Sequence, residues 1–187
     1  AVGQIAGEIE AAGGDINAWT SYDQTVYHVV LASEYFETGL DILSDAMMNS
    51  SFDETELSKE LEVILEEIKR SEDQPTSRVS RALFSTAFQK HPYSRPVIGH
   101  SEVVQNFSRE NVTNFFQDHY CADRTTVVIV GDVDAEEAEA AVEKYLGNMR
   151  TGARPLPARA TEPRQTSARA CGLTDDVEET HLALGWH

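Results

Sequence analysis

Two carboxylates in the stretch DETELSKELEVILEEIKR, residues 53–70, stand where a helix calls for apolar side chains. Leu57, Leu61, Ile64, Leu65 and Ile68 recur at the i, i+3, i+4, i+7 spacing of one buried helical stripe. At about 100° per residue, Val63 widens that arc, and Glu60 and Glu67 fall inside the widened part. Glu62, Glu66 and Lys69 project on the far, solvated side. Seven residues of separation place Glu60 and Glu67 on nearly one line, roughly 10 Å apart along the axis. An ionised carboxylate on a buried face is costly unless it is paired, hydrogen-bonded or bound to a metal. One reading of the pair is a salt bridge or the wet edge of the stripe. The other is a metal ligand with a helper carboxylate. The helix alone leaves both open.

No other cluster competes strongly. Histidines stand at 28, 91, 100, 119, 181 and 187, and no two have the i, i+3 or i, i+4 spacing of helical zinc ligands. There is no Gly-x-Ser-x-Gly and no glycine-rich phosphate loop. Asp132 and Asp134 form a DxD that could hold magnesium, but Asp134, with Glu137 three residues on, is already explained as a helix N-cap. Asn17, in a strand-like run, reads from the residues alone as a turn-adjacent polar side chain.

The 187 residues are 41% hydrophobic and 25% charged, as an ordinary globular chain is. A formal charge of −17 argues against nucleic acid and against an anionic membrane surface as partners, since no basic patch survives it. Cys121 and Cys171 are too few for a disulfide framework or a thiolate zinc site. No run of apolar residues is long enough to span a bilayer.

Several elements must position these groups. Residues 2–12 have a helical pattern closed by Gly13-Gly14. Residues 16–20 and 25–32, joined by Ser21-Tyr22-Asp23, read as a hairpin. Ser33 is a candidate cap for a helix to Asn49; Asp53 caps the glutamate helix and Pro75 opens the next. Val112, Phe115 and Phe116 form the inner face of a later helix, and TTVVIV, residues 125–130, reads as a fully buried strand. Residues 166–171 and 179–185 have the look of further strands. The expected domains are 1–148, a proline-rich linker at 149–166, and the start of a second unit at 167–187.

Taken in order, GEIEAAGGDINAWTSYDQTVYH, LEVILEEIKRSEDQP, HPYSRPVIGHSEVVQNFSRENVTNFFQDHY and TTVVIVGDVD resemble the pitrilysin/insulinase family of zinc metallopeptidases, which includes the mitochondrial processing peptidase. The likeness covers roughly residues 3–147, and ETHLALGW is similar to the first strand of the family's second domain. The resemblance implies an α+β fold, a mostly antiparallel sheet packed against helices. It also implies Zn2+ held by an inverted H-x-x-E-H helix and a later glutamate, with the motif Glu as general base. Glu67 matches the ligand glutamate, and Glu60 the supporting carboxylate counted with the catalytic machinery.

Asn17 and Ala18 match the edge strand that pairs with an extended peptide substrate. The family encloses peptides between two homologous halves, so a second half, in the same chain or a homodimer partner, is the expected partner. H-x-x-E-H is absent from these residues. The chain is therefore expected to be a piece of a longer zinc endopeptidase that starts after the motif, with zinc and activity belonging to the intact parent. The compartment expected for that parent is the cytoplasm, the periplasm being the alternative. A non-catalytic peptide-binding or scaffold subunit of the same family is the competing reading, and the residues upstream of Ala1 distinguish the two.

Overall fold

The computed structural model describes residues 3–156 and 158–186. Its contacts separate two units, Ala1–Phe52 with Glu110–Pro155, and Asp53–Arg109 with Leu156–His187.

In the first unit the β-branched and aromatic runs form the expected hairpin. Strand β1 (Asp15–Thr20) pairs antiparallel with β2 (Thr25–Val30) in a register that sets Asn17 opposite His28 and Ala18 opposite Tyr27. Helix α1 (Gln4–Ala11) leads into β1 and packs on it. Its end is a glycine-closed motif: Gly13, at φ +72°, donates its N–H to Glu10, and Gly14 donates to Ile9, both at 2.9 Å. Helix α2 (Phe36–Asn49) covers β2 and meets α7 (Ala135–Leu146). Gly39 permits that approach, because a Cβ there would stand 2.7 Å from Leu31 Cδ1. Ile9, Leu40, Ile42, Cys121, Ala138, Ala141 and Met149 are the buried apolar residues of this unit among the described residues. The α+β class with an antiparallel sheet against helices is what the chain has.

Asp134 caps α7 as expected, accepting from the N–H groups of Glu136 and Glu137 at 2.9 and 3.1 Å. Ser33 does not cap α2. It begins a 3-10 turn, Ser33–Tyr35, and α2 follows with no side-chain cap.

The second unit holds α3 (Glu54–Asp73), α4 (Pro75–Ala87), α5 (Ser101–Val104) and a 3-10 turn, Pro92–Ser94. Asp53 accepts from Thr55 and Glu56 N–H at 3.0 and 3.1 Å, and Pro75 stands in the first turn of α4. Helix α3 contacts both α4 and α5. Among the described residues Ile68 and Val104 are the buried apolar ones here, fewer than in the first unit. Helix α6 (Arg109–His119) starts at the boundary between units. Its Phe115 is 59% exposed, contrary to the inner face expected of it, whereas Val112 and Phe116 are half-buried.

The buried strand expected at 125–130 is overturned. Among the described residues this stretch makes no ladder, and Val128 and Val130 are 77% and 92% exposed. Its β-branched composition suits a pleated surface, but a strand exists only where a second backbone supplies the hydrogen bonds. Residues 166–171 and 179–185 are likewise without a ladder.

Two glycines test the close approaches of the first unit. A Cβ on Gly14 would lie 2.6 Å from the Val30 carbonyl oxygen, which is backbone and cannot swing aside. Gly14→Ala should therefore cost about 1–3 kcal/mol, the usual effect of overpacking. Gly7, inside α1 with nothing within 4 Å of its would-be Cβ, should respond oppositely. Gly7→Ala should stabilise by about 0.5–1 kcal/mol. Chemical denaturation of both variants checks the contrast, and equal effects would contradict it.

Candidate functional site

Helix α3 carries Glu60 and Glu67, and the structure moves both off the face where the apolar pattern had put them. Ile68 is 1% exposed and marks the buried side, while Val63 is 58% exposed and both glutamates are exposed. The wide apolar arc is thus narrower in the fold than in the sequence, and Glu60, Val63 and Glu67 form one solvent-facing line. Burial no longer argues for a metal. A salt bridge does not account for the pair either. The ion pairs of this helix among the described residues are Lys59–Glu56 at 2.7 Å and Arg81–Glu72 at 3.5 Å. Glu60 and Glu67 have no hydrogen-bond or ion-pair partner among the described residues. They are two free carboxylates, two helical turns apart.

Zinc wants about four ligands. No three His, Cys, Asp or Glu side chains converge on one point among the described residues. No complete zinc site is seen among the described residues.

Asn17 and Ala18 lie on β1 in the other unit, both exposed. The N–H of Ala18 donates to Asn17 Oδ1 at 2.8 Å. That donor faces an edge with no partner strand among the described residues, and the Asn17 side chain covers it. An unpaired strand edge is a template for an incoming extended chain.

The hairpin is anchored by residues the sequence did not single out. Tyr27, opposite Ala18 in the ladder, shares a 2.5 Å hydroxyl contact with Tyr120, just past α6. Tyr120 stacks on Phe116 at 4.6 Å between ring centres, and Phe116 meets Phe52 edge-on at 5.1 Å. Burial, then the bond to Tyr27, pushes the Tyr120 hydroxyl well above its ordinary 10.0. Ninety-three residues separate the two tyrosines, and no local pattern announces such a pair.

Other proteins match this chain along its length. The insulinase profile (peptidase family M16) matches residues 1–101, and the profile of the M16 inactive domain matches residues 106–187. An uncharacterized zinc protease of Rickettsia felis is 31% identical over 185 residues, 98% of this chain and 43% of that protein. A probable mitochondrial-processing peptidase subunit beta of Arabidopsis thaliana is 36% identical over 137 residues, 73% of this chain and 26% of that one. A crystal structure of a protease from Helicobacter pylori superposes with a TM-score of 0.85 at 25% identity, covering 89% of this chain and 41% of that one. The chain thus spans less than half the length of these relatives.

The tyrosine contact gives a pH-dependent test. A hydroxyl whose ionisation is raised on folding contributes stability that is complete below 10.0 and is lost as the pH climbs above it. Tyr120→Phe should cost about 0.5–1.5 kcal/mol at neutral pH and should flatten part of that alkaline loss. Thermal melts of the two proteins between neutral pH and pH values above 10.0 read both effects. Identical alkaline curves would contradict the contact.

Proposed function

The chain belongs to the insulinase family of peptidases, M16, and from that premise we propose that it is part of a zinc-dependent endopeptidase acting on peptides or unfolded segments. The observation that carries the reading is the line Glu60–Val63–Glu67 on α3. Two unpaired carboxylates are held on one exposed face of a capped helix, in a chain whose relatives include proteins named as zinc proteases.

Bound zinc would supply Lewis-acid activation of a water for attack on a peptide carbonyl. Glu67 offers that cation a charged oxygen ligand, and its freedom from any ion pair leaves the oxygen available. Glu60, two turns earlier, orients the assembly as a supporting carboxylate without ligating. The H-x-x-E-H motif that would supply the remaining ligands and the general base is absent from these 187 residues, so the chain alone is expected to be inactive. Strand β1 contributes to substrate binding. The incoming peptide takes the Ala18 N–H from Asn17 Oδ1, and the released Asn17 amide is then available to the peptide backbone. The second homologous half closes over the peptide.

Variants of the full-length protein test these roles. Glu67→Gln keeps the volume and loses the charge, so zinc content and peptidase rate should both collapse. Glu60→Gln should act more mildly, by about 10–100-fold in affinity or activity. Neither should shift the thermal midpoint of the metal-free protein by much, since both side chains are exposed; any difference in the zinc-loaded protein should follow the zinc content. A Glu67→Gln protein with wild-type zinc and rate would defeat the assignment. A full-length protein that binds peptide but neither zinc nor cleaves would point to the scaffold alternative.

Ala18→Pro deletes the edge N–H without touching a ladder bond on the β2 side. It should raise KM for peptides at least about tenfold, the loss of a charge-free hydrogen bond plus a blocked strand edge, while zinc content holds. An unchanged KM would remove β1 from the substrate site.

A further inference from the structure

The described residues after 155 form no regular element, yet they are tied to α4 at successive points within the second unit. The Glu162 carboxylate accepts three consecutive backbone N–H groups just beyond the end of α4. Gln89 donates at 2.7 Å to one oxygen, and Lys90 and His91 donate at 2.8 and 2.9 Å to the other. Arg169 approaches from the same tail and donates to the carbonyls of Ala87 at 2.8 Å and Thr86 at 3.2 Å, in the last turn of α4. The two side chains are 4.0 Å apart and retain only 16% and 20% of their exposure. Further along, Asp175 pairs with Arg78, and Gly185 runs so near α4 that a Cβ there would meet Leu83 at 3.3 Å.

The arrangement is chemically specific. A helix C-terminus presents unsatisfied carbonyls and the negative end of its dipole, which a guanidinium complements. Successive N–H groups pointing into one concavity form a nest that selects an anion. Arg169 serves the first set and Glu162 the second. His91, whose N–H Glu162 holds, in turn organises the following turn: its Nδ1 accepts from Tyr93 N–H at 3.3 Å, and its carbonyl accepts from Ser94 Oγ at 3.0 Å. Its ring packs on Phe88 and Tyr93. Removing Glu162 would leave three donors without their partner and free the turn that follows.

We propose that residues 158–175 form a strap fastened onto α4, with Glu162 and Arg169 as its clasp, and that the clasp sets both the path of the strap and the shape of the His91–Ser94 turn. The strap lies wholly within the part of the chain matched by the inactive-domain profile, whereas α4 and the turn lie in the part matched by the insulinase profile. The clasp therefore fastens the segment of one to a helix of the other. It does not depend on the zinc reading.

The test uses the full-length protein with Glu162→Ala and Glu162→Gln. Amide hydrogen exchange at Gln89, Lys90 and His91 should accelerate at least tenfold in the alanine variant. Trypsin cleavage after Arg164 and Arg169 should accelerate alongside it, while exchange in α7 stays at the wild-type rate. The glutamine variant, with one acceptor oxygen in place of two, should fall between, and it carries the test should the alanine variant not fold. Arg169→Met should open the same tryptic site at Arg164 through loss of the carbonyl contacts. Exchange at residues 89–91 and cleavage at Arg164 that match wild type in the glutamine and methionine variants would overturn the proposal.

Discussion

A helix is a rigid ruler, and the phase of α3 governs what its carboxylates can do. Asp53 fixes the start of the helix by accepting two of its free N–H groups. Ile68 fixes its rotation by being buried. With start and rotation set, Glu60 and Glu67 have no choice of position: they lie on one exposed line, roughly 10 Å apart. A cation seated closely on one is a turn or more from the other. On the reading proposed above, that separation goes with one ligand and one supporting carboxylate rather than two equivalent ligands. Their exposure also removes any desolvation cost, so the helix carries both charges without needing the metal to fold.

The two units are held by different chemistry. The first rests on apolar burial around Ile9, Leu40, Ile42 and Cys121, with aromatic rings behind the hairpin. The second has few fully buried apolar residues, and its tail is held by charge-assisted hydrogen bonds to backbone. Burial pushes Glu162 towards its neutral form. Its three N–H donors, with Arg169 adding to them, outweigh that effect and hold the carboxyl at about 2. Apolar contacts tolerate sliding, whereas such bonds fix direction.

Most local signals in the sequence read true, Ser33 excepted, which opens a 3-10 turn instead of capping α2. Asp53 and Asp134 cap as their spacing implies, Pro75 opens α4, Gly13 closes α1 in a left-handed conformation, and the hairpin forms between its turn residues. Each helix end is decided within about one helical turn, and the hairpin by the short turn that joins its strands. The larger failures are non-local. Whether 125–130 is a buried strand depends on a partner backbone, and whether Glu60 and Glu67 are buried depends on what packs against α3. Periodicity reports which face is apolar; it does not report how wide a face the neighbours cover. The Tyr27–Tyr120 contact and the Glu162 clasp join residues 93 and more than 70 positions apart. A glutamate amid prolines and arginines has nothing local to distinguish it from any solvated linker residue.

The most direct test of the account is to locate the metal itself. Anomalous diffraction at the zinc edge from crystals of the full-length protein should place one ion about 2.0–2.2 Å from a carboxylate oxygen of Glu67, the usual zinc–carboxylate distance, with Glu60 outside the coordination sphere. An ion bound elsewhere, with Glu67 left in solvent or paired to a basic side chain, would contradict it.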